Sequence, residues 1–296
     1  MDINFELYKV FYYVGKYLSF SEASSQLHIS QSAVSQTIRQ LEEKMGCRLF
    51  HRSTKQVQFT HEGQLLFRHI EQAFHYIKAG ERSIAEVHSL NQGEIRIGAS
   101  DTICRYYLLP YVKQFAQRYP KIKMIITNRS SSVCLDMVSK GIIDAAVVNL
   151  TGEKSHKNIT AKRLKTLQDL FVASPAFQSL QNKKLHLSDL CQHPILLLEK
   201  NTVTRNYFDQ FTAAHNVTLQ PEIELNSIDL LIDLTKIGLG ISFVAKEYIE
   251  AELAAGSLFA LKLHEMIPAR YLGVVTNNSV PMSVATHRFI EMLQND

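Results

Sequence analysis

The sequence predicts a multidomain α/β protein, and three observations carry that expectation. Roughly the first sixty residues hold short apolar stripes at helical spacing, and the next thirty or so hold an unbroken seven-residue apolar repeat. The remainder alternates short β-branched runs with amphipathic helices, the order that builds parallel sheets with covering helices. A chain of 296 residues, 46% apolar and 20% charged, has the length for two or three domains and the composition of a folded soluble protein.

In the first segment, Leu7, Phe11, Val14 and Leu18 form the inward stripe of a helix. Ser21 is expected to cap a second helix that turns Ala23 and Leu27 inward, and His28-Ile29-Ser30 reads as a short turn. Ser30 caps a third helix that runs to about Met45 and stops at Gly46, with Val34, Ile38, Leu41 and Met45 facing in. Its outer face shows Gln31, Ser32, Ser35, Gln36 and Arg39, where a merely solvated helix usually carries Glu and Lys. Such groups suit base edges and phosphates, and two helices about a three-residue turn fit a helix-turn-helix. After Leu49-Phe50, the alternation around Val57 and Phe59 predicts a hairpin wing that sets Arg52 and Lys55 beside a phosphate backbone. Arg48, Arg52 and Lys55 have no acid among them, although on charge alone a solvated loop explains them as well.

Thr60 is a candidate N-cap for a long helix in which Leu66, Ile70, Ala73, Ile77, Gly80, Ile84 and Val87 step 4-3-4-3-4-3. That stripe is narrower than most core faces, so a helix that pairs with its copy is favoured over one packed on its own domain. A two-fold dimer also matches a palindromic DNA site. Beyond Asn91-Gln92-Gly93, strands are expected at Glu94–Ser100, Lys123–Thr127 and Ile143–Asn149. A second set is expected at Leu170–Ser174, Pro194–Glu199, Glu222–Leu225 and Ile241–Ala245, with Tyr271–Asn277 and a helix from about Ser283 to Leu293 closing the chain. Two α/β lobes of this kind enclose a cleft at their strand ends. The boundaries are 1–60 for the helical segment, 61–90 for the long helix, and 91–296 for the lobed region. Within it, lobe one takes 91–162 plus 268–296 and lobe two takes 163–267.

The stretch from Phe5 to Gly63 resembles the winged helix-turn-helix of LysR-type transcriptional regulators. The resemblance rests on Ala23 and Leu27, Gln31-Ser32, Val34-Ser35, Leu41-Glu42, Gly46, Leu49-Phe50, Arg52, Thr60 and Gly63, and its order and length extend over the whole chain. Ala33 stands where proline is frequent, Ser24 replaces a second alanine, and Ser53 stands where many members have a further arginine that contacts phosphate. The resemblance implies an effector-binding region like the periplasmic binding proteins of type II and a homotetramer of two dimers joined through linker helices. It also implies binding to double-stranded promoter DNA, with a small molecule altering the effect on transcription. The DNA-binding set is then Gln31, Ser32, Ser35, Gln36, Arg39, Arg52, Ser53 and Lys55.

For the effector, Ser100 and Thr102 follow the first strand of lobe one, Ser130 follows the second, and Thr202, Thr204 and Asn226 follow strands of lobe two. Their hydroxyls and amide, with the helix N–H groups beside them, suit an anion, and Arg205 can pair its charge. Helix capping explains each hydroxyl alone, and their shared place at strand C-terminal ends is what groups them. Cys47, Cys104, Cys134 and Cys191 form no CxxC pair, and the histidines show no ligand spacing, so neither metal nor cofactor is expected. Cys104 reads as a small hydrophobe near the cleft rather than a thiol sensor. No nucleophile elbow, P-loop or carboxylate pair points to an enzyme. The N-terminus lacks the pattern of a signal peptide and no apolar run reaches the ~18 to 20 residues of a membrane helix, so a cytoplasmic protein is expected. A two-lobed enzyme or solute-binding protein with a helical accessory domain, and a regulator without effector, are the alternatives.

Overall fold

Asn4, Ser19 and Ser30 set the starts of three helices, α1 (Phe5–Tyr17), α2 (Phe20–Leu27) and α3 (Gln31–Met45), each side chain accepting a bond from a first-turn N–H. Ser30 caps α3 as its sequence predicts, but the cap of α2 is Ser19, which accepts from the Glu22 N–H at 3.1 Å, and Ser21 lies inside the helix. The residues Ser19 and Glu22 have the spacing of a capping box, a stronger start signal than Ser21. Leu18 is 45% exposed and left-handed at φ 47°, so it ends α1 instead of extending the inward stripe, and Val10 joins Leu7, Phe11 and Val14 in the core. Gly46, at φ 70°, turns the chain out of α3, with the Cys47 N–H returning to the Glu42 carbonyl.

This is a computed structural model, and it describes residues 3–52, 57–87, 93–150, 158–200 and 202–294. Two compact units make it up, Met1–Arg82 and Ser83–Asp296. In the first, β1 (Phe50–Arg52) and β2 (Val57–Phe59) pair antiparallel as the expected wing, Phe50 opposite Phe59. The long helix α4 (His61–Val87) follows. Thr60 donates to the Arg48 carbonyl at 2.7 Å and caps the Gly63 N–H at 2.9 Å. A Cβ on Gly63 would lie 1.9 Å from the Leu49 carbonyl oxygen, so only glycine lets α4 pass this close to the wing.

The inner face of α4 is aromatic. Phe74 stacks on Tyr12 with centroids 4.4 Å apart and interplanar angle 4°, and Phe67 packs against Phe59 at 4.9 Å. Leu66 and Ile70, expected in the heptad seam, are half-buried against the core of the same unit. Ile77 and Ile84, one heptad apart, are 41% and 66% exposed. The predicted seam therefore divides: its first turns serve the helix's own domain, and its later turns present uncovered isoleucines.

The second unit holds two five-stranded sheets. The first takes β3 (Gly93–Ala99), β4 (Ile122–Asn128), β5 (Ala145–Leu150), β6 (Ile159–Leu167) and β14 (Arg270–Asn277) in the order β4-β3-β5-β14-β6. Strands β3, β4 and β5 are parallel, and β14 runs antiparallel between β5 and β6. A helical run made of α5 (Asp101–Ile103), a π-helical turn (Cys104–Leu108) and α6 (Leu109–Arg118) follows β3, and α7 (Ser131–Ser139) follows β4. The second sheet takes β7 (Asp169–Ala173), β9 (Ile195–Leu198), β10 (Pro221–Leu225), β11 (Ile241–Ala245) and β12 (Phe259–Ala260), ordered β10-β9-β11-β7-β12. Helices α8 (Val203–Ala214), α9 (Ile228–Lys236) and α10 (Glu250–Ala254) belong to this lobe, as does a two-stranded pairing of β8 (Lys184–Leu185) with β13 (Lys262–Leu263). The closing helix α11 (Val284–Gln294) returns to the first sheet.

Strand β6 carries no signal in the sequence reading because it is an edge strand, mostly exposed and rich in Lys and Thr. It pairs with β14 through Leu167, so the first crossing between lobes falls at Gln168, later than the expected break after residue 162. Gly63→Ala is expected to destabilise the first unit by at least about 2 kcal/mol through this backbone clash. Urea unfolding reads this as a lower midpoint with unchanged slope. An unmoved midpoint contradicts the close passage of α4 over the wing.

Candidate nucleic-acid interface and ligand cleft

On the outer face of α3, Gln31, Ser32, Gln36 and Arg39 are exposed and Ser35 is half-buried. The Ser32 hydroxyl lies 2.9 Å from that of Ser30, at the helix start. Arg39 has no ion-pair partner among the described residues, so its guanidinium stands open to phosphate or base. The acid next along the helix is withdrawn from this face. Glu42 is 6% exposed and accepts the N–H groups of Leu49 at 2.9 Å and Phe50 at 3.3 Å. The two inward-facing requirements of α3, an apolar stripe and this carboxylate, thus leave its first turns free of negative charge. Arg52 ends β1, but its side chain, and Ser53 and Lys55 with it, lie outside the described residues.

The strand ends that the sequence groups in lobe one lie where β3 and β4 run into helices. The Ser100 hydroxyl accepts from the Ile103 N–H at 3.4 Å, and Thr102 is half-buried one turn along. Asn128 Nδ2 donates to Asp101 Oδ1 at 3.1 Å, which ties the two strand ends together. Ser130 and Ser132 share a hydroxyl contact at 3.2 Å, and the Ser131 hydroxyl accepts the Asn149 N–H at 3.2 Å. Arg129, at the same strand end, is exposed, and its guanidinium bonds the neighbouring Asn128 carbonyl at 2.7 Å and meets no carboxylate among the described residues. It is a cation that the sequence reading passed over, although the strand-end rule that selected Ser130 covers it equally.

In lobe two the geometry corrects the reading of Arg205. Its side chain is 6% exposed, and its guanidinium bonds Asp209 at 2.9 Å, the Leu198 carbonyl at 3.0 Å and, more closely, Glu224. Burial disfavours its charge, but the bonds to Glu224 and Asp209 outweigh this and hold its pKa above the ordinary value. Arg205 ties α8 to β9 and β10 and is spent as an effector ligand. Thr202 is likewise occupied, as it caps the Arg205 N–H at 3.2 Å and donates to the Glu199 carbonyl at 3.0 Å. Thr204 is half-buried on the first turn of α8, and Asn226 is exposed between β10 and α9. Close to Asn226, Asp229 of α9 accepts the Tyr106 hydroxyl at 2.6 Å and faces Arg105 at 3.4 Å. The π-helical turn of lobe one therefore meets the start of α9, which brings the Ser100 strand end toward Asn226.

Both crossings between the lobes are charged. Asp169, fully buried at the start of β7, pairs bidentately with Arg270 at the start of β14, with one bond at 2.7 Å and a closer one from Nε. Arg270 also reaches Asn149 Oδ1 at 3.3 Å and lies 5.3 Å from the Tyr207 ring. Gln168 Nε2 spans the two crossings by donating to the Ile267 carbonyl at 3.0 Å. Sequence reading missed this pair; the available signal was a lone charge opening each of two apolar strands. The thiols near the cleft are quiet. Burial, with a smaller effect of Asp101, raises the Cys104 pKa, and burial and Cys104 push Cys134 up to about 11, so both stay protonated and poorly nucleophilic. Among the described residues no group of three metal-ligating side chains comes together, and no helix is long and apolar enough to cross a membrane.

Two family profiles match the chain. The bacterial regulatory helix-turn-helix of the lysR family covers residues 5–64, and the LysR substrate binding domain covers residues 88–296. The chain belongs to the LysR family of transcriptional regulators. This regulator thus joins a helix-turn-helix DNA-binding domain to an effector-binding domain, and its family acts on transcription, not as enzymes. It is 28% identical over 279 residues to a probable RuBisCO transcriptional regulator of Gracilaria tenuistipitata var. liui, covering 92% of this chain and 89% of that protein. With the HTH-type transcriptional regulator CrgA of Neisseria meningitidis it shares 26% identity over 261 residues, covering 88% and 86%. The structure of full-length OxyR from Pseudomonas aeruginosa superposes with a TM-score of 0.72 at 18% identity, covering 100% of this chain and 94% of that one. Full-length CbnR in complex with its target DNA gives 0.65 at 15%, covering 98% and 99%. These two likenesses show the shared fold.

Arg205→Met is expected to destabilise the effector-binding domain by about 1–2 kcal/mol, since Glu224, Asp209 and the Leu198 carbonyl lose a charged donor. DNA affinity should be unchanged. A variant with wild-type unfolding would contradict the structural role assigned to Arg205.

Proposed function

We propose that this regulator binds double-stranded promoter DNA through α3, where Gln31, Ser32, Ser35 and Gln36 face base edges and Arg39 contacts phosphate, while Arg52, Ser53 and Lys55 of the wing follow the phosphate backbone. The observation that carries this reading is the outer face of α3, which offers amides, hydroxyls and an unpaired arginine while Glu42 points inward. The uncovered Ile77 and Ile84 support a homodimer joined along the later turns of α4, and two such dimers form the homotetramer implied by the family's build. A two-fold assembly selects a palindromic site. The protein acts in the cytoplasm, where that DNA lies, and takes no cofactor.

The effector is a small anion held at the strand ends of the lobed domain, by Ser100, Thr102 and Ser130 of lobe one and Thr204 and Asn226 of lobe two, with Arg129 supplying charge. Its binding biases the contact between the π-helical turn and α9, which is how occupancy alters the DNA-bound assembly. The experiment is a gel shift with the DNA upstream of the regulator's own gene. Retardation at moderate salt supports the reading, and failure to bind that DNA or any genomic fragment sinks it. Arg39→Ala is expected to weaken binding to every sequence and reduce the salt slope by about one, as loss of a phosphate contact does. Gln36→Ala should change sequence preference more than affinity. Unchanged affinity and slope for Arg39→Ala would remove that residue from the interface.

A further inference from the structure

The first sheet of the effector-binding domain has a second concavity that the cleft does not use. Strand β14 alternates between two faces: Leu272, Val274 and Thr276 point to the side covered by α6 and α11, and Val275 to the side covered by α7. Helix α11 packs toward β3 and α6, and one flank of it also faces β14 and β6. A cavity of about 280 Å³ forms there. Val274, Ile290 and Met282 supply its apolar walls, and Thr276 and Thr160 stand opposite each other on β14 and β6, the Thr160 hydroxyl already donating to Asn278 Oδ1 at 2.8 Å. Lys162, opposite Val274, stands on the rim and has no ion-pair partner among the described residues.

The far wall is one flank of α11, where His287, Glu291 and Gln294 recur at helical spacing. Glu291 is the acid of the lining; Arg288, which is not part of the lining, answers its charge at 2.8 Å, and the His287 ring in the wall lies 3.3 Å from it. Lys162 is then the unanswered charge. Register separates this cavity from the cleft: Thr276 pairs with Ala145 at the start of β5, whereas the cleft gathers at the strand end where Tyr271 pairs with Leu150. Five residues of strand place the two about 17 Å apart.

We propose that this cavity is a second ligand site, independent of the cleft, for a small monocarboxylate with a single-ring or branched apolar body. One lysine matches one carboxylate, the Thr276 hydroxyl and the Gln294 amide offer further hydrogen bonds to it, and the apolar walls take the body. The volume lies just below the usual range of ligand pockets, which favours a single-ring body.

The test is titration of the full-length protein with sodium benzoate, followed by calorimetry and by the methyl resonances of methionine. Met282 lines the cavity, so its methyl signal reports this site and not the cleft. Saturable binding that shifts the Met282 methyl is expected, with acetate and benzyl alcohol each binding more weakly because each lacks half of the match. Lys162→Met, on an exposed edge-strand position that does not threaten folding, should weaken benzoate about tenfold, and Lys162→Arg should retain it. Benzoate binding that leaves Met282 unmoved, binding indifferent to Lys162→Met, or no binding at millimolar concentration would each overturn the proposal.

Discussion

At the root of the reading helix, the Glu42 carboxylate collects the N–H groups of Leu49 and Phe50, and the Thr60 hydroxyl reaches back to the Arg48 carbonyl while capping α4. Three elements are fixed by this small polar clasp, because α3 is held to β1 and β1 to the start of α4. Its bonds are largely shielded from water, where a charge-assisted bond is worth more and a broken one costs more. Gly63 completes the clasp by omitting a side chain where α4 meets Leu49. The orientation of Gln31, Gln36 and Arg39 relative to the wing therefore depends on one carboxylate, one hydroxyl and one missing Cβ.

The effector-binding domain uses the same economy at its lobe crossings. Two strands cross between sheets, and each begins with a charge, Asp169 or Arg270, whose pairing leaves neither buried alone. Asn149 links that pair to the end of β5, and the Asn149 N–H meets the Ser131 hydroxyl at the start of α7. A continuous polar path thus runs from a strand end of the cleft to the hinge. Any displacement of α7 bears on a pair that tolerates little movement, since separating buried charges is costly.

The elements that bury a regular apolar face were legible in the sequence: the three short helices, the wing, the central strands and α11 follow periodicity and caps. What escaped has a physical reason in each case. Strand β6 is a polar edge, so its pairing is dictated by the neighbour β14 and not by its own pattern. The heptad from Leu66 to Val87 was visible, but periodicity does not say which turns find a partner at home, and the aromatic face of Phe67 and Phe74 decides that. Arg205 followed the right strand and was assigned by its charge, yet Glu224, distant in sequence, claims it. The face proposed to read DNA could be picked out because its chemistry lies on one helix. The proposed effector site could be drawn only as a set of strand ends, since charge pairing across sequence decides which groups are free and which are spent.

The central claim is that α3 and the wing form a two-fold, sequence-reading unit. Selection of bound fragments from sheared genomic DNA by the full-length protein, followed by sequencing, tests it directly. The account predicts enrichment of an inverted repeat whose half-sites are spaced by about one or more helical turns of DNA. Recovery of fragments with no shared motif, or of a motif without two-fold symmetry, would contradict it.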